Sequence, residues 1–303
     1  MIRRLVSLGS VIVDLVLELP MLPERGGDVL ASQRGMAAGG AFNVLSAAGR
    51  LGLPGVYVGS HGTGPFGELV RKSLAREGIE VSQPANPDLD TGWTLALIEP
   101  DGERTFVTVT GADGLVESAA LSAIRYREGD VVYISGYDLA YPGAGVALAD
   151  HVERLGRDVT VIFDPGPLVA EIPSEHLDAV LHRIDVLSLN EREAEALGGV
   201  EAVSPRLAAT ATVIIRRGAR GAILRQAGQE PLSIPAVQVQ AAVDTSGAGD
   251  VHVGATLAGL AREMIWPEAV LFANRASAYA VSRRGPAAGP TAAQLREFGS
   301  GRW

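Results

Sequence analysis

The chain has no cysteine, and of its 26 Lys and Arg residues only Lys72 is a lysine. Absence of cysteine excludes disulfides, thiol nucleophiles, iron–sulfur clusters and cysteine zinc sites. A Walker phosphate loop needs Gly directly before its Lys and another Gly six residues before it. Arg71 and Phe66 hold those places, so the chain is no P-loop enzyme. A Schiff-base lysine would have to be Lys72, inside the helical pattern Phe66–Glu77. Histidine is scarce too: His61, His151, His176, His182 and His252 form no i, i+4 pair and no zinc spacing. No apolar run reaches the length of a membrane span, and the N-terminus lacks the apolar core of a signal peptide. A net charge of −9 argues against a broad nucleic-acid-binding face. Charge stabilisation must therefore come from arginine, a metal ion or backbone N–H groups. The expected location is the cytoplasm, without membrane or nucleic-acid partners.

What is present is a 303-residue chain that is 47% apolar, enough for a large core. Strand patterns fall at Leu5–Leu8, Val56–Val58, Val131–Ile134, Val159–Phe163, Val186–Leu189 and Val213–Ile215. Helical patterns fall between them at Ala41–Leu51, Phe66–Glu77, Pro142–Leu155, Ser174–Leu181 and Glu191–Leu197. Alternation of this kind predicts an α/β fold with a doubly wound, mostly parallel sheet and helices on both faces. Gly247–Arg262 and Trp266–Ser282 read as buried helices that pack closely. Two segments break the alternation. Val11–Arg34 is extended with a Pro/Gly break, and Thr91–Thr110 holds two β-rich runs around Pro-Asp-Gly. They form either a small second sheet, serving as a lid, or an edge hairpin of the main sheet.

The most specific segment is Asp244-Thr245-Ser246-Gly247-Ala248-Gly249-Asp250, which enters an apolar helix. Small residues at a helix start expose consecutive N–H groups, and the helix dipole adds positive charge, so the segment makes an anion site. A carboxylate beside an anion, Asp250, makes sense as the group that takes a proton from an attacking hydroxyl. The plainer account is a helix capped by Asp or Ser after a glycine turn. A second glycine turn, Gly39-Gly40-Ala41-Phe42-Asn43, opens another helix, and Asn43 suits hydroxyl recognition. Taken by itself it reads rather as a glycine-rich turn with an Asn in the first helical turn. Asp164, after a strand in Asp164-Pro165-Gly166-Pro167, either binds substrate or shapes the turn. Arg104, in the hairpin, either meets the substrate or is solvated.

Gly39-Gly40-Ala41-Phe42-Asn43 with Arg50-Leu51-Gly52, and Asp244–Asp250, resemble the two signatures of the ribokinase/PfkB family of carbohydrate and nucleoside kinases, in order and in separation. The resemblance extends over nearly the whole chain. It implies a ribokinase-like single domain over 1–303, with a β lid from about 11–35 and 91–111. It implies transfer of the ATP γ-phosphoryl group to a sugar hydroxyl, with Asp250 as base and Gly247, Ala248 and Gly249 as anion hole. Asp14, Gly39, Gly40 and Asn43 then hold the substrate. Asn190-Glu191-Arg192-Glu193 is similar to the family's Asn-x-x-Glu, which implies magnesium and phosphate support from Asn190 and, indirectly, Glu193. Arg217-Gly218-Ala219-Arg220-Gly221 resembles the nucleotide loop; with Asn274 and Ser282 it implies an ATP site. A potassium site is implied at Asp244, Thr245 and Gly285, and a homodimer through the lid strands. The hairpin and Ser135-Gly136-Tyr137 look like the YegV-type sugar kinase subgroup. A nucleoside kinase is the alternative within the family, and a non-catalytic homologue would lack the intact Asp250 loop. Three departures stand out. Arg216 and Arg217 replace a usual Thr, Gly59–Gly64 lacks the usual acidic residue, and His252 stands where Phe is common. His252 reads as a buried structural histidine.

One rival reading remains. Gly62-Thr63-Gly64-Pro65-Phe66-Gly67 fits the dinucleotide fingerprint Gly-x-Gly-x-x-Gly, follows a strand and opens a helix. That pattern suggests an NAD-dependent dehydrogenase, although Pro65 removes a backbone donor where pyrophosphate would bind.

Overall fold

A computed structural model describes residues 1–298, with all side chains there except those of Gln33 and Arg34. The strands are β1 (Arg4–Ser7), β2 (Val11–Glu18), β3 (Ser32–Gly40), β4 (Gly55–Tyr57), β5 (Glu80–Val81), β6 (Trp93–Ile98) and β7 (Arg104–Val109). They continue with β8 (Asp130–Ser135), β9 (Thr160–Asp164), β10 (Val186–Asn190), β11 (Thr212–Arg216), β12 (Ala222–Arg225) and β13 (Leu232–Ile234). A nine-stranded sheet has the order β13-β12-β11-β10-β9-β8-β1-β4-β5. It is parallel from β5 to β11, and β12 and β13 add an antiparallel edge that the sequence did not disclose.

Alternation along the buried strands splits the core into two layers. Leu5, Tyr133, Ile162 and Ile214 face the helices Ala41–Arg50, Ala248–Ala261 and Trp266–Val281. Val6, Val132, Phe163 and Leu187 face the helices Gly145–Glu153 and Ser174–Arg183. The Ala248–Ala261 helix is buried nearly all round, and small residues let it pack so closely. A Cβ at Gly254 would lie 2.5 Å from the Val44 carbonyl of the Ala41–Arg50 helix. The helical pattern Pro142–Leu155 is realised as Gly145–Glu153, after a separate short helix Gly136–Ala140. The residue before a proline avoids the helical region, and Tyr141 is extended (φ −74°, ψ 124°).

The two segments outside the alternation build a second, smaller sheet, β3-β2-β6-β7. The edge-hairpin reading is therefore replaced: β6 pairs with β2 in parallel and with β7 antiparallel, and not with the main sheet. Buried carboxylates fix where these strands leave the body. Asp138 accepts from the Ser10 N–H (2.9 Å), at the root of β2. Asp113 accepts from Gly92 and Gly111 (2.5 and 3.1 Å), at the roots of β6 and β7. Among the described residues no helix is long and apolar enough to cross a membrane.

Candidate active site

In an open parallel sheet the carboxyl ends of the strands converge on the ligand crevice where strand order reverses. Here β1 is that point, flanked by β8 and β4. The small sheet rises beside it. Between the two lies a cavity of about 1160 Å³, lined by residues that close the strands: Ser135, Asp164, Asn190 and Arg216. This exceeds the upper end, about 1000 Å³, of pockets for one small ligand, so there is room for two ligands side by side.

Two helices begin at this cavity without a side-chain cap. Gly247 precedes the Ala248–Ala261 helix with φ +66°, and Gly40 precedes the Ala41–Arg50 helix with φ +63°. A Cβ would lie 2.0 Å from the Pro286 carbonyl at the first and 2.6 Å from the Ser10 carbonyl at the second, so both turns require glycine. The plainer reading of Asp244–Asp250 as a side-chain-capped helix is thus excluded. The Gly247 and Gly249 amides donate to no group among the described residues, whereas the Ala248 amide points to the Thr245 carbonyl (3.3 Å). Of the three amides expected to face an anion, Gly247 and Gly249 are therefore the two without a partner among the described residues.

The two turns meet through one hydrogen bond: Asn43 Nδ2 donates to Asp250 Oδ2 at 2.9 Å. Asn43 Oδ1, buried at the cavity, has no partner among the described residues and can accept from a ligand hydroxyl. Desolvation raises the Asp250 carboxyl to about 7, and Asp164 and Asp14 add to the effect, while Asn43 and Arg216 oppose it. Asp14 of β2 also faces the cavity, and burial raises its carboxyl to about 6. Gly39 lies behind it: a Cβ there would lie 2.1 Å from the Asp14 carboxylate.

These turns and strands follow the pattern of a known family. The description pfkB family carbohydrate kinase matches residues 2–293. The chain belongs to the pfkB family of carbohydrate kinases. It is 35% identical to the sugar kinase YegV of Escherichia coli, over 97% of this chain and 93% of that protein. It is 29% identical to a ribokinase of Haemophilus influenzae, over 98% of each. A ribokinase of Thermotoga maritima shares the fold, with a TM-score of 0.81 at 23% identity over 99% of this chain and 100% of that one.

Membership in this kinase family sets aside the dehydrogenase reading, and the structure gives the reason. Asp90 accepts from the Phe66 and Gly67 amides (3.0 and 2.7 Å), filling the helix start that a pyrophosphate would need. Most other residues singled out by the sequence line the cavity, namely Gly40, Arg104, Asp164, Asn190, Glu193, Gly218, Gly221, Asp244, Thr245, Asn274 and Gly285. Gly39, Arg217 and Ser282 do not. Arg217 Nη2 donates to Ser233 Oγ (2.9 Å), and Ser282 Oγ to the Tyr279 carbonyl (2.7 Å).

Several lining residues are already engaged. Asn274 Oδ1 meets His252 Nε2 (3.1 Å) and its Nδ2 donates to the Pro235 carbonyl (2.9 Å), so the protein holds this amide in place. His252 is buried as expected, and burial with the nearby Arg216 charge lowers it to about 3, so it is neutral. Arg104 is neither solvated nor free: its Nη2 pairs with Asp244 Oδ1 at 2.7 Å, tying the small sheet to the anion turn. Asp244 also accepts from Ser246 N (2.9 Å) and Gly285 N (3.0 Å). A guanidinium and two amides thus already engage this carboxylate. Asp164 takes the Gly166 amide (3.1 Å), shaping its turn, and Arg216 Nη1 (2.6 Å).

Glu193 and Asn190 form a capping box at the start of the Glu191–Ala196 helix. Glu193 Oε1 accepts from Asn190 Nδ2 (2.6 Å), and Oε2 from Asn190 N (2.7 Å) and Arg216 Nη2 (3.1 Å). Both oxygens are used, and no cluster of three metal-ligating side chains occurs among the described residues. These residues do not fit a protein-held magnesium. The sequence missed the Arg216 bridge, because nothing in the run Arg216-Arg217 shows what its neighbours across β9 and β10 will be.

Proposed function

We propose that the protein transfers the γ-phosphoryl group of magnesium–ATP, the ion belonging to the substrate, to a hydroxyl of a sugar. The observation that supports this most directly is the Asn43–Asp250 hydrogen bond. It sets a half-buried carboxylate next to the free Gly247 and Gly249 amides and within the cavity that Asp14 lines. In this reading Asp14 and Asn43 Oδ1 hold acceptor hydroxyls. Asp250 takes the proton of the attacking hydroxyl, its oxygen bonds to the γ-phosphorus, and the bond from that phosphorus to the β-phosphate oxygen breaks, releasing ADP. The two amides face the charge of the transferring group, where fixed dipoles are most effective. Gly218 and Gly221 line the nucleotide side. The small sheet acts as the lid, excluding water that would otherwise consume ATP. Its edge strand β7 exposes Phe106, Val107 and Val109, which supports a homodimer through this sheet.

A nucleoside is the second acceptor class, favoured by Phe106 and Tyr137 in the cavity wall, whose rings can stack on a base. ADP release measured across pentoses, hexoses, their phosphates and ribonucleosides decides between them. Asp250→Asn tests the base: turnover should fall by about 10²–10⁴-fold with ATP binding kept. Near wild-type turnover would reject the assignment.

A further inference from the structure

The cavity has a charge problem. Five carboxylates line it (Asp14, Asp164, Glu193, Asp244 and Asp250) against Arg104, Arg216 and Arg284. Arg104 is committed to Asp244, and Arg284 is exposed. A triphosphate must nevertheless bring its negative charge to Asp250, so the one arginine set among the remaining carboxylates carries the local balance.

That arginine is Arg216, the last residue of β11. Its side chain is 11% exposed. Nη1 pairs with Asp164 at 2.6 Å and Nη2 with Glu193 at 3.1 Å. Nη1 also lies 3.4 Å from the Gly249 carbonyl. A Cβ on Gly249 would stand 3.2 Å from Nη1 and 3.3 Å from Cζ, so the guanidinium packs flat against the turn that carries the free amides. Arg216 thus touches three separate elements: the end of β9, the helix after β10 and the first turn before Asp250.

We propose that Arg216 is a positioning residue for phosphoryl transfer: its guanidinium ties Asp164, Glu193 and the Gly249 turn together and offsets their charge, so that an anionic triphosphate can settle beside Asp250. This rests on the kinase reading of the same site. Burial works against the Arg216 charge, but Asp164 and Glu193 more than offset it and keep the group cationic. The Arg216 charge in turn favours ionised Asp250. The other charged or titratable groups facing Asp250 are Asp14 from β2, Tyr133 from β8, Tyr137 from the helix after β8 and Asp164 from β9. All of these are acidic groups, so no second cation takes over if Arg216 loses its charge.

The test compares Arg216→Met and Arg216→Lys with the wild type, reading kcat, KM for magnesium–ATP and the acid limb of kcat/KM. Arg216→Met should raise KM for magnesium–ATP and lower kcat/KM by about 10²-fold in all, on the scale of losing one preorganised electrostatic contact. Its acid limb should move up by about one pH unit, since a close opposite charge lowers a carboxyl by about that much or more. Arg216→Lys keeps the charge but cannot bridge two carboxylates and the turn at once. Its acid limb should stay near the wild type while KM for magnesium–ATP still rises. A folded Arg216→Met protein with an unmoved limb and unchanged KM overturns the proposal. Should Arg216→Met fail to fold, Arg216→Lys decides alone, and a wild-type KM in that variant overturns it. Failure of the kinase reading looks different: the wild type itself would release no ADP with any acceptor and gain no thermal protection from magnesium–ATP.

Discussion

Replacing Asp250 with asparagine should stabilise the protein at alkaline pH while it removes the base. Desolvation raises the Asp250 carboxyl from its ordinary 3.8 to about 7. A carboxyl that holds its proton more tightly when folded costs the native state nothing at low pH, where both states are protonated. As pH rises from roughly 4 to 7 the unfolded chain ionises first, so native stability falls, and above about 7 the whole penalty stands. Roughly three pH units at about 1.4 kcal/mol each give about 4 kcal/mol. Asp250 is half-buried and open to the cavity, so water screens part of this, and about 2 kcal/mol is the working figure. Asparagine never ionises, and its carbonyl can still accept from Asn43 Nδ2. At about 2 °C per kcal/mol for a chain of this size, the variant should melt about 4 °C above the wild type at pH 8.5. The gap should shrink by more than half at pH 4. Asp14, Asp138 and Glu193, raised to about 6, 7 and 7, tilt both proteins the same way, so the difference isolates Asp250. Differential scanning calorimetry at the two pH values is the assay. A gain that is absent, or equal at both, refutes the reasoning.

Two further outcomes follow from the small sheet. Arg104→Ala removes the pair with Asp244, whose side chains are 22% and 10% exposed, and should change stability by only about 1 kcal/mol. It should, however, raise KM for the acceptor about tenfold and increase ADP release without acceptor, as the sheet loses its hold on the anion turn; a coupled ADP assay with and without acceptor measures both. Val107→Glu with Val109→Glu should dissociate a homodimer built on β7, read by light scattering; a mass unchanged from the wild type would place any dimer elsewhere.

Much of this was readable from residues alone, for identifiable reasons. Strands such as Val131–Ile134 lie under helices on both faces, so their apolar runs stand out. Asp244–Asp250 announces part of its geometry locally, since small residues before an apolar helix signal a tight turn and an uncapped helix start, although the Pro286 carbonyl sets how closely Gly247 is packed. What stayed hidden depended on partners far along the chain. Asp90 reaches back 24 residues to the Phe66 amide, and that contact, not the glycine spacing, decides what the Gly62–Gly67 loop can bind. Arg216 meets Asp164 across 52 residues. Nothing local shows that His252 and Pro235, 22 and 39 residues away, hold the Asn274 amide. Residue type announced the chemistry in each case, but only the packing showed whether the group was free to perform it.

The small sheet is spun from two connections of the large one. Strands β2 and β3 lie between β1 and the Asn43 helix, and β6 and β7 lie between β5 and β8. Asp14 sits within β2, and β3 runs straight into Gly40 without an intervening loop. In the proposed reading, one of the groups that greet the acceptor, Asp14, is therefore part of the cover itself, while Asn43 belongs to the floor beneath it. In the proposed reading, an acceptor that grips Asp14 pulls on the same strand that shelters it, so recognition and enclosure would move as one mechanical event. Changes on the inner face of that cover, at Ile12, Val16 or Thr94, can retune which acceptor is admitted while the Asp250 turn stays untouched.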